Sequence, residues 1–167
     1  DVMETPFEYL VKTGVLNEEK LQQVLNGSSA DMPATKLLKR DAMLSSQQIG
    51  DSLERFYQVP FQPYDPDRFP PHRLQQKINI SYLRKQNVAL LEGNQGQVII
   101  VIDDPNDVVR LMEIQNALNG NDYEIRVGLE DEIQQYLGGS GFDGSGGGLD
   151  SIVGELDDTE DISDDSS

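Results

Sequence analysis

The chain has 167 residues, a formal net charge of −17 and no cysteine. This length fits one ordinary domain or two small ones, and the missing thiols exclude disulfides and thiolate metal sites. The negative charge argues against binding to nucleic acid. No apolar stretch approaches the roughly 20 residues of a membrane helix, so we expect no direct membrane insertion. The opening Asp1-Val2-Met3 predicts a piece of a longer chain.

The end of the chain differs from the rest in composition. Residues 138–167 hold nine acidic residues, no basic residue and eight of the 15 glycines. Such a segment has too little apolar area to offset the entropy cost of ordering. We therefore predict a disordered, flexible acidic linker over 138–167.

The first predicted unit, residues 5–28, is a helical hairpin. Gly14 marks the break between its helices, and Asn17 is a good N-cap for a second helix over 18–25. The apolar residues of the first helix recur at helical spacing and share one face: Phe7, Leu10, Val11 and Val15.

A second unit, residues 33–56, repeats this scheme 28 positions later. Ser45 and Gln48 have the spacing of a capping box. Its last helix carries Ile49 and Leu53 at the positions that Leu21 and Leu25 hold in the first unit. Two copies are fewer than the three or so repeats of a solenoid, so we predict one four-helix unit.

An extended connection follows the helices. Residues 59–64 contain two prolines, which restrict the segment to an edge strand or a linker. Residues 65–72 are rich in proline and predict a connector. Residues 74–86 predict a helix with a candidate break near Asn79, and with Ile78, Tyr82 and Leu83 facing inward.

The stretch 88–118 predicts a strand, a turn, a strand and a helix. Residues 98–102 are all β-branched, and a strand that is apolar on both faces lies in the middle of a sheet. Asp104 or Asp107 can cap the following helix. The apolar residues at helical spacing in that helix are Val108, Leu111, Met112 and Leu118.

The alternating segment 123–127 predicts a half-exposed strand, which would complete a right-handed β-α-β unit with strand 98–102. A short helix over 131–137 would follow. The predicted fold class is therefore α+β. It has a helical subdomain of paired helix-turn-helix repeats over 1–57, a small α/β subdomain over 58–137, and the disordered tail.

The sequence offers no catalytic constellation. His72 is the only histidine and lies among prolines, so we predict an exposed loop residue. Helix capping explains the acidic side chains of Asp103, Asp104 and Asp107 better than a metal site does. The phosphate-binding pattern G-x-x-x-x-G-K-[ST] does not occur. We therefore expect no enzymatic activity, no metal and no cofactor.

Three stretches share their order and spacing with one known family. Residues 10–25 match its helical repeat, and residues 45–61 end in Val-Pro-Phe where the family has leucine, proline and an aromatic residue. In residues 98–120, an Asp-Pro pair is followed by Asp107 and by a helix that closes on Gly120. Together they resemble the N-terminal, MshEN-type domain of type II secretion and type IV pilus assembly ATPases.

This resemblance implies a non-catalytic docking and regulatory module. In type II systems the domain is held by the cytoplasmic domain of an inner-membrane platform protein, so we expect this partner and a cytoplasmic location at the inner membrane. The acidic tail looks like the linker to an ATPase core, and a hexamer is expected only with that core attached. A stand-alone adaptor is an alternative.

Some members of the family bind cyclic di-GMP through repeats that begin with Arg-Leu-Gly and end with Gln. The corresponding residues here are Thr5-Pro6-Phe7 and Pro33-Ala34-Thr35 at the starts, and Ser28 and Phe56 at the ends. Without the arginines, the two phosphates lack a bidentate cationic partner. A cyclic di-GMP sensor is therefore the disfavoured alternative.

We expect the partner interface on the helical subdomain. Its apolar candidates are Phe7, Leu10, Val11, Leu21 and Leu25. Its charged candidates are Glu18, Glu19 and Lys20. The apolar residues could equally form the core, since apolar helix faces usually do, so the charged residues give the fairer test.

Overall fold

The computed structural model describes residues 2–138. Within them, eight helices and three strands follow one another along the chain. The helices of the first part are α1 (Glu8–Lys12), α2 (Glu18–Gly27), α3 (Ala34–Asp41) and α4 (Ser46–Tyr57). The elements of the second part are α5 (Arg73–Lys77), α6 (Ile80–Gln86), β1 (Val88–Glu92), β2 (Val98–Ile102), α7 (Val108–Leu118), β3 (Tyr123–Val127) and α8 (Glu130–Tyr136). The α+β fold class is as predicted.

The first four helices lie within the two predicted units, α1 and α2 in residues 5–28 and α3 and α4 in residues 33–56. Their main contacts run between the units, because α1 packs against α4 and α2 packs against α3. Capping by side chains fixes where two of the helices begin. The Asn17 side chain accepts from the Lys20 N–H at 2.7 Å at the start of α2. At α4, Ser45 Oγ accepts from the Gln48 N–H at 3.1 Å, and the Gln48 side chain accepts from the Ser45 N–H at 2.9 Å. This reciprocal pair is the predicted capping box.

The three strands form one sheet in the order β1-β2-β3. β2 lies in the middle, antiparallel to β1 and parallel to β3, which confirms the central strand and the β-α-β connection through α7. All five residues of β2 are buried. A fully β-branched strand suits this place because both of its faces are covered by other elements.

Proline-containing segments extend the sheet at both edges. Beside β3, the Val127 N–H donates to Pro60 O at 2.9 Å and the Gln62 N–H donates to Val127 O at 2.8 Å. Beside β1, the His72 N–H donates to Leu90 O at 2.8 Å. Each segment makes only a short ladder, as expected for segments in which proline removes a donor.

The buried apolar residues form two clusters. The sheet cluster is built mainly from β1, β2, α7 and the end of α8. The helical cluster contains the inner faces of α1 to α4, and also Phe61, Val127 and Leu129 from the second part of the chain. The helical cluster thus includes residues from both sides of the predicted subdomain boundary at residues 57–58. The division into two subdomains stays a prediction.

Several predictions about individual positions were wrong. Val15 is exposed, and the neighbouring Leu16 is buried in the core in its place. The hairpin turn after α1 is tight, so that helix ends before Val15 can join its face. In α7, Val108 and Met112 are exposed, while the residues that face the sheet are Leu111, Ile114 and Leu118.

The predicted helix over 74–86 is two helices, and the break lies at the predicted place. The Asn79 side chain caps α6 by accepting from the Ser81 N–H at 2.8 Å. None of the helices within residues 2–138 has the length and hydropathy of a bilayer-spanning segment. The predicted acidic linker lies, apart from Gly138, outside the described residues.

Candidate docking surface

Helix α2 forms the surface that the sequence singled out for a partner. Asn17 caps the helix, and Glu18 and Glu19 occupy its first turn, where negative charge interacts favourably with the helix dipole. Leu21 and Val24 point into the helical cluster. The rest of the helix surface is open to solvent except at the half-buried Lys20, and we call it the α2 face, defined by Glu18, Glu19, Lys20 and Leu25.

The other predicted interface residues lie deeper. Phe7, Leu10 and Leu21 are buried, with exposed fractions of 9%, 1% and 4%. Val11 is half-buried and packs against the same cluster. In this conformation a partner can contact the α2 face but not the three buried side chains, which instead hold α1 and α2 in position. A periodic apolar pattern predicts which residues share a face, but it does not tell what covers that face.

The starts of both repeats are engaged in internal contacts. In the first, the Ser52 hydroxyl of α4 donates to Pro6 O at 2.6 Å, and Phe7 is buried. In the second, the Thr35 hydroxyl donates to a carboxylate oxygen of Glu130 at 2.8 Å. The third residue at the start of the second repeat therefore already has an acidic neighbour.

More carboxylates surround this contact between α3 and α8. Lys39 Nζ lies 2.8 Å from Asp131 Oδ2 and 3.8 Å from Glu132 Oε2. Glu132 Oε1 is buried without a hydrogen-bond partner among residues 2–138. Burial raises the pKa of Glu130 above its usual value, and the hydrogen bond from Thr35 opposes this shift. One lysine against three carboxylates leaves the site negative, so it disfavours an anionic ligand.

The three candidate aspartates after β2 are accounted for by structure. Asp107 caps α7 by accepting from the Arg110 N–H at 3.2 Å, which confirms the predicted cap. Arg110 also lies 2.7 Å from Asp103 and donates to Gln86 O. Burial raises the pKa of Asp103 above its usual value. The pKa of Tyr57 is raised to about 12 by the burial of its own hydroxyl and by the nearby charges of Asp104 and Asp103. Residues 2–138 contain no cluster of His, Asp and Glu arranged to hold a metal ion.

The prediction of an exposed His72 was wrong, because its side chain is only 2% exposed. Its Nδ1 accepts from the Leu74 N–H at 3.1 Å and caps α5, and its Nε2 lies 3.4 Å from Glu92 Oε1. The edge pairing beside β1 places it there, which the proline-rich sequence did not indicate. His72 is thus a structural residue.

An open cavity of about 390 Å³ lies at the end of α4, where sequence reasoning identified nothing. It is lined by Glu54, Arg55, Gln58, Val59 and Pro60. Its charged groups are occupied: Glu54 accepts from the Phe61 N–H at 2.8 Å, and the Arg55 guanidinium lies 4.5 Å from the centre of the Tyr9 ring. Both charged side chains of the lining therefore contact neighbouring parts of the fold, the extended connection and α1.

A family model described as the MshEN domain matches residues 57–140. The chain belongs to the MshEN domain family. This confirms the resemblance predicted from the sequence. The match begins at the end of α4 and covers the sheet and its helices, so the α2 face lies before the matched residues. No curated protein sequence matches the chain significantly.

Solved structures extend the likeness to the helical repeats. The structure of MshE with cdg, cyclic di-GMP, has a TM-score of 0.58 and 17% sequence identity, covering 81% of this chain and 98% of that one. A structure of the N-terminal domain of XpsE has a TM-score of 0.50 and 17% identity, covering 81% of this chain and 97% of that one. At this identity the likeness concerns the fold.

Proposed function

We propose that this MshEN chain is the docking and regulatory domain of a secretion or pilus assembly ATPase. Its partner would be the cytoplasmic domain of an inner-membrane platform protein. The domain would then work on the cytoplasmic side of that membrane, held there through the partner. A hexameric state would come only from an attached ATPase core.

The observation that carries the proposal is the charged, largely exposed α2 face in a chain of this family. Glu18 and Glu19 project from the start of α2, and Leu25 is 36% exposed at its end. Charged residues around an apolar contact are a common composition of protein interfaces. Because Leu21 and Val24 anchor the helix in the core, the face is also rigidly presented.

The test is charge reversal on the α2 face in the full chain. The variant Glu18→Lys/Glu19→Lys/Lys20→Glu should weaken binding of the platform protein's cytoplasmic domain by about tenfold or more, equivalent to at least about 1.4 kcal/mol. Binding is measured by calorimetry, and circular dichroism checks the fold. The matched control is Asp122→Lys, which changes the net charge equally at an exposed position on the other part of the molecule.

Reversed charge at a helix N-terminus also disturbs the dipole, so Glu18→Gln/Glu19→Gln serves as a milder second variant. It should weaken binding less than the reversal does. Normal binding by both variants would place the docking site elsewhere. If Asp122→Lys weakened binding equally, the loss would come from the net charge of the chain, and a local interface on the α2 face would be contradicted.

A second candidate function, a cyclic di-GMP sensor, is favoured by the likeness to MshE, whose structure was determined with cdg. Against it stand the missing arginines and the Thr35–Glu130 hydrogen bond of 2.8 Å at the start of the second repeat. We expect no tight binding in calorimetry, with MshE measured alongside as the positive control. A dissociation constant near 1 μM, about −8.2 kcal/mol, would make the sensor function the better proposal.

A further inference from the structure

The positive charge of this acidic chain is concentrated in one stretch. Residues 68–91 carry five of the 13 lysines and arginines and no acidic residue, although the whole chain has a net charge of −17. Four of these cations belong to two neighbouring helices, α5 and α6. A local surplus of this kind differs from the mixed charges of an ordinary soluble surface.

The structure exposes these cations on one part of the molecule. Both α5 and α6 pack against β1, which is an outer strand of the three-stranded sheet. We call the exposed side chains of Arg73, Lys77, Arg84 and Lys85 the basic face. Within residues 2–138, no carboxylate forms an ion pair with any of the four. By contrast, Arg110 and Arg126 are paired with Asp103 and Glu124.

The chain leaves the described structure beside this face. The Arg84 side chain donates to Leu137 O at 3.0 Å. The Gln134 side chain donates to Arg84 O at 2.9 Å and to Asn87 Oδ1 at 2.6 Å, which ties α8 to the end of α6. Gly138 therefore lies next to the basic face. Residues 139–167, which follow it, hold nine acidic residues and no basic one.

We propose that the chain's own acidic segment, residues 150–165, binds the basic face. A glycine-rich chain of eleven residues, the number from 139 to 149, has a reach of roughly 17–20 Å at about 5–6 Å × √n. The two helices are only about 8 and 10 Å long at 1.5 Å per residue, so this reach is sufficient. Tethering gives the segment an effective concentration in about the millimolar range, which favours it over any separate anionic partner.

The absence of cysteine allows a direct test on the full chain. The substitution Ser163→Cys allows a single nitroxide label to be attached in the acidic segment. The label broadens the NMR signals of backbone amides that come close to it. The signals of residues 73–86 should lose about half of their intensity or more, while those of α2 should not. Raising the salt concentration from about 0.1 to 1 M shortens the Debye length from about 10 to 3 Å and should restore the lost intensity.

Two matched triple variants locate the effect. Arg73→Gln/Lys77→Gln/Lys85→Gln should abolish the broadening at α5 and α6. Lys12→Gln/Lys36→Gln/Arg40→Gln removes the same types and number of charges from exposed positions on the helical part, and should leave the broadening unchanged. Arg84 is kept in both variants because it holds Leu137 O. Equal broadening of α2 and the basic face, or loss in both variants, would overturn the proposal.

Two further outcomes would replace the proposed occupant. In the first, chains that carry the nitroxide but no ¹⁵N are mixed with ¹⁵N chains that carry no nitroxide. The ¹⁵N signals should not broaden in this mixture, and broadening would mean that the acidic segment of one copy binds another copy. Vesicles containing phosphatidylglycerol should leave the signals of residues 73–86 unchanged in the full chain. If the vesicles broaden them and the label on the acidic segment does not, the basic face binds a lipid surface, and the proposal fails.

Discussion

The two clusters of this molecule are built in different ways. The sheet cluster is centred on β1 and β2, whose apolar residues are all buried and pair with one another at four of the five positions of the ladder. The helical cluster is formed by four helices of five to twelve residues and is completed by Phe61, Val127 and Leu129 from outside them. The sheet cluster is thus built around its own two central strands, whereas the helical cluster needs residues that the strand β3 and its neighbouring segments supply.

This difference follows from what each kind of element needs. Helices of this length are marginal in isolation, and their stability comes from packing of an apolar face. Phe61 and Val127 belong to the edge pairing beside β3, so the sheet supplies the wall on which the helices close. The comparison predicts that damage at this wall loosens the helices, while damage on the other side of the sheet does not.

The largest effect is expected from Phe61→Ala, with Phe69→Ala as its counterpart in the sheet cluster. The two rings are 7% and 9% exposed, so each truncation should cost about 3–5 kcal/mol in the free energy of unfolding. In hydrogen exchange, Phe61→Ala should speed the amides of α1 to α4 most, and Phe69→Ala those of β1 and β2. If both variants loosened the same elements, the two clusters would be one cooperative core.

A tighter probe of the wall is Gly50→Ala. A methyl group built on Gly50 in α4 would overlap the ring of Phe61. We expect a loss of about 1–3 kcal/mol in urea unfolding, with partial rescue by Phe61→Leu. Gly27→Ala in α2 is the control, because its methyl group would meet Leu37 at an ordinary 3.8 Å. That variant should gain about 0.4–1 kcal/mol. Similar losses for both variants would contradict a specific contact at Gly50.

A smaller effect is expected where charges join the two parts. Lys39→Met removes the 2.8 Å ion pair between α3 and Asp131 of α8. The lysine side chain is 25% exposed, so the loss of unfolding free energy should be about 1 kcal/mol or less and should shrink at high salt. Arg40→Met, which breaks an exposed pair with the adjacent Asp41, should change stability by less than about 0.5 kcal/mol. If the two variants lost the same unfolding free energy, the ion pair between Lys39 and Asp131 would not stabilise the contact between α3 and α8.

The smallest effect is a pH dependence at the same junction. The pKa of Glu130 is raised in the folded state from its usual 4.5, chiefly by burial. Its contribution to stability is therefore fully present below pH 4.5 and is lost as the pH rises through the higher folded value. Glu130→Gln should unfold at higher urea than the native chain at pH 7, and the difference should shrink towards pH 4.5. A difference independent of pH would contradict this.

Several elements could be predicted because one local signal decided them. The β-branched run Val98–Ile102 specifies a doubly covered strand wherever it is placed. The Ser45–Gln48 box and the Asp107 cap act within four residues, so no distant contact is needed to form them. The break at Asn79 follows in the same way, because its side chain competes for backbone donors.

The candidate site was predicted less completely. The sequence identified α2 and its charged start, but it could not separate Leu21, which is 4% exposed, from Leu25, which is 36% exposed. Both residues fit the same apolar pattern, and the packing of α2 in the helical cluster decides which of them is covered. The basic face was also missed, because its cations are spread over two helices that a break separates.

The sequence by itself determined the central strand, the helix caps and the family, because each depends on residues that lie close together in the chain or in a fixed order. The tertiary structure alone decided what those elements meet. It buried His72 through the edge pairing with Leu90, set Thr35 against Glu130 across 95 positions, and completed the helical cluster with Phe61. Contacts of this kind depend on how whole elements pack, and apolar periodicity specifies a face without specifying its partner.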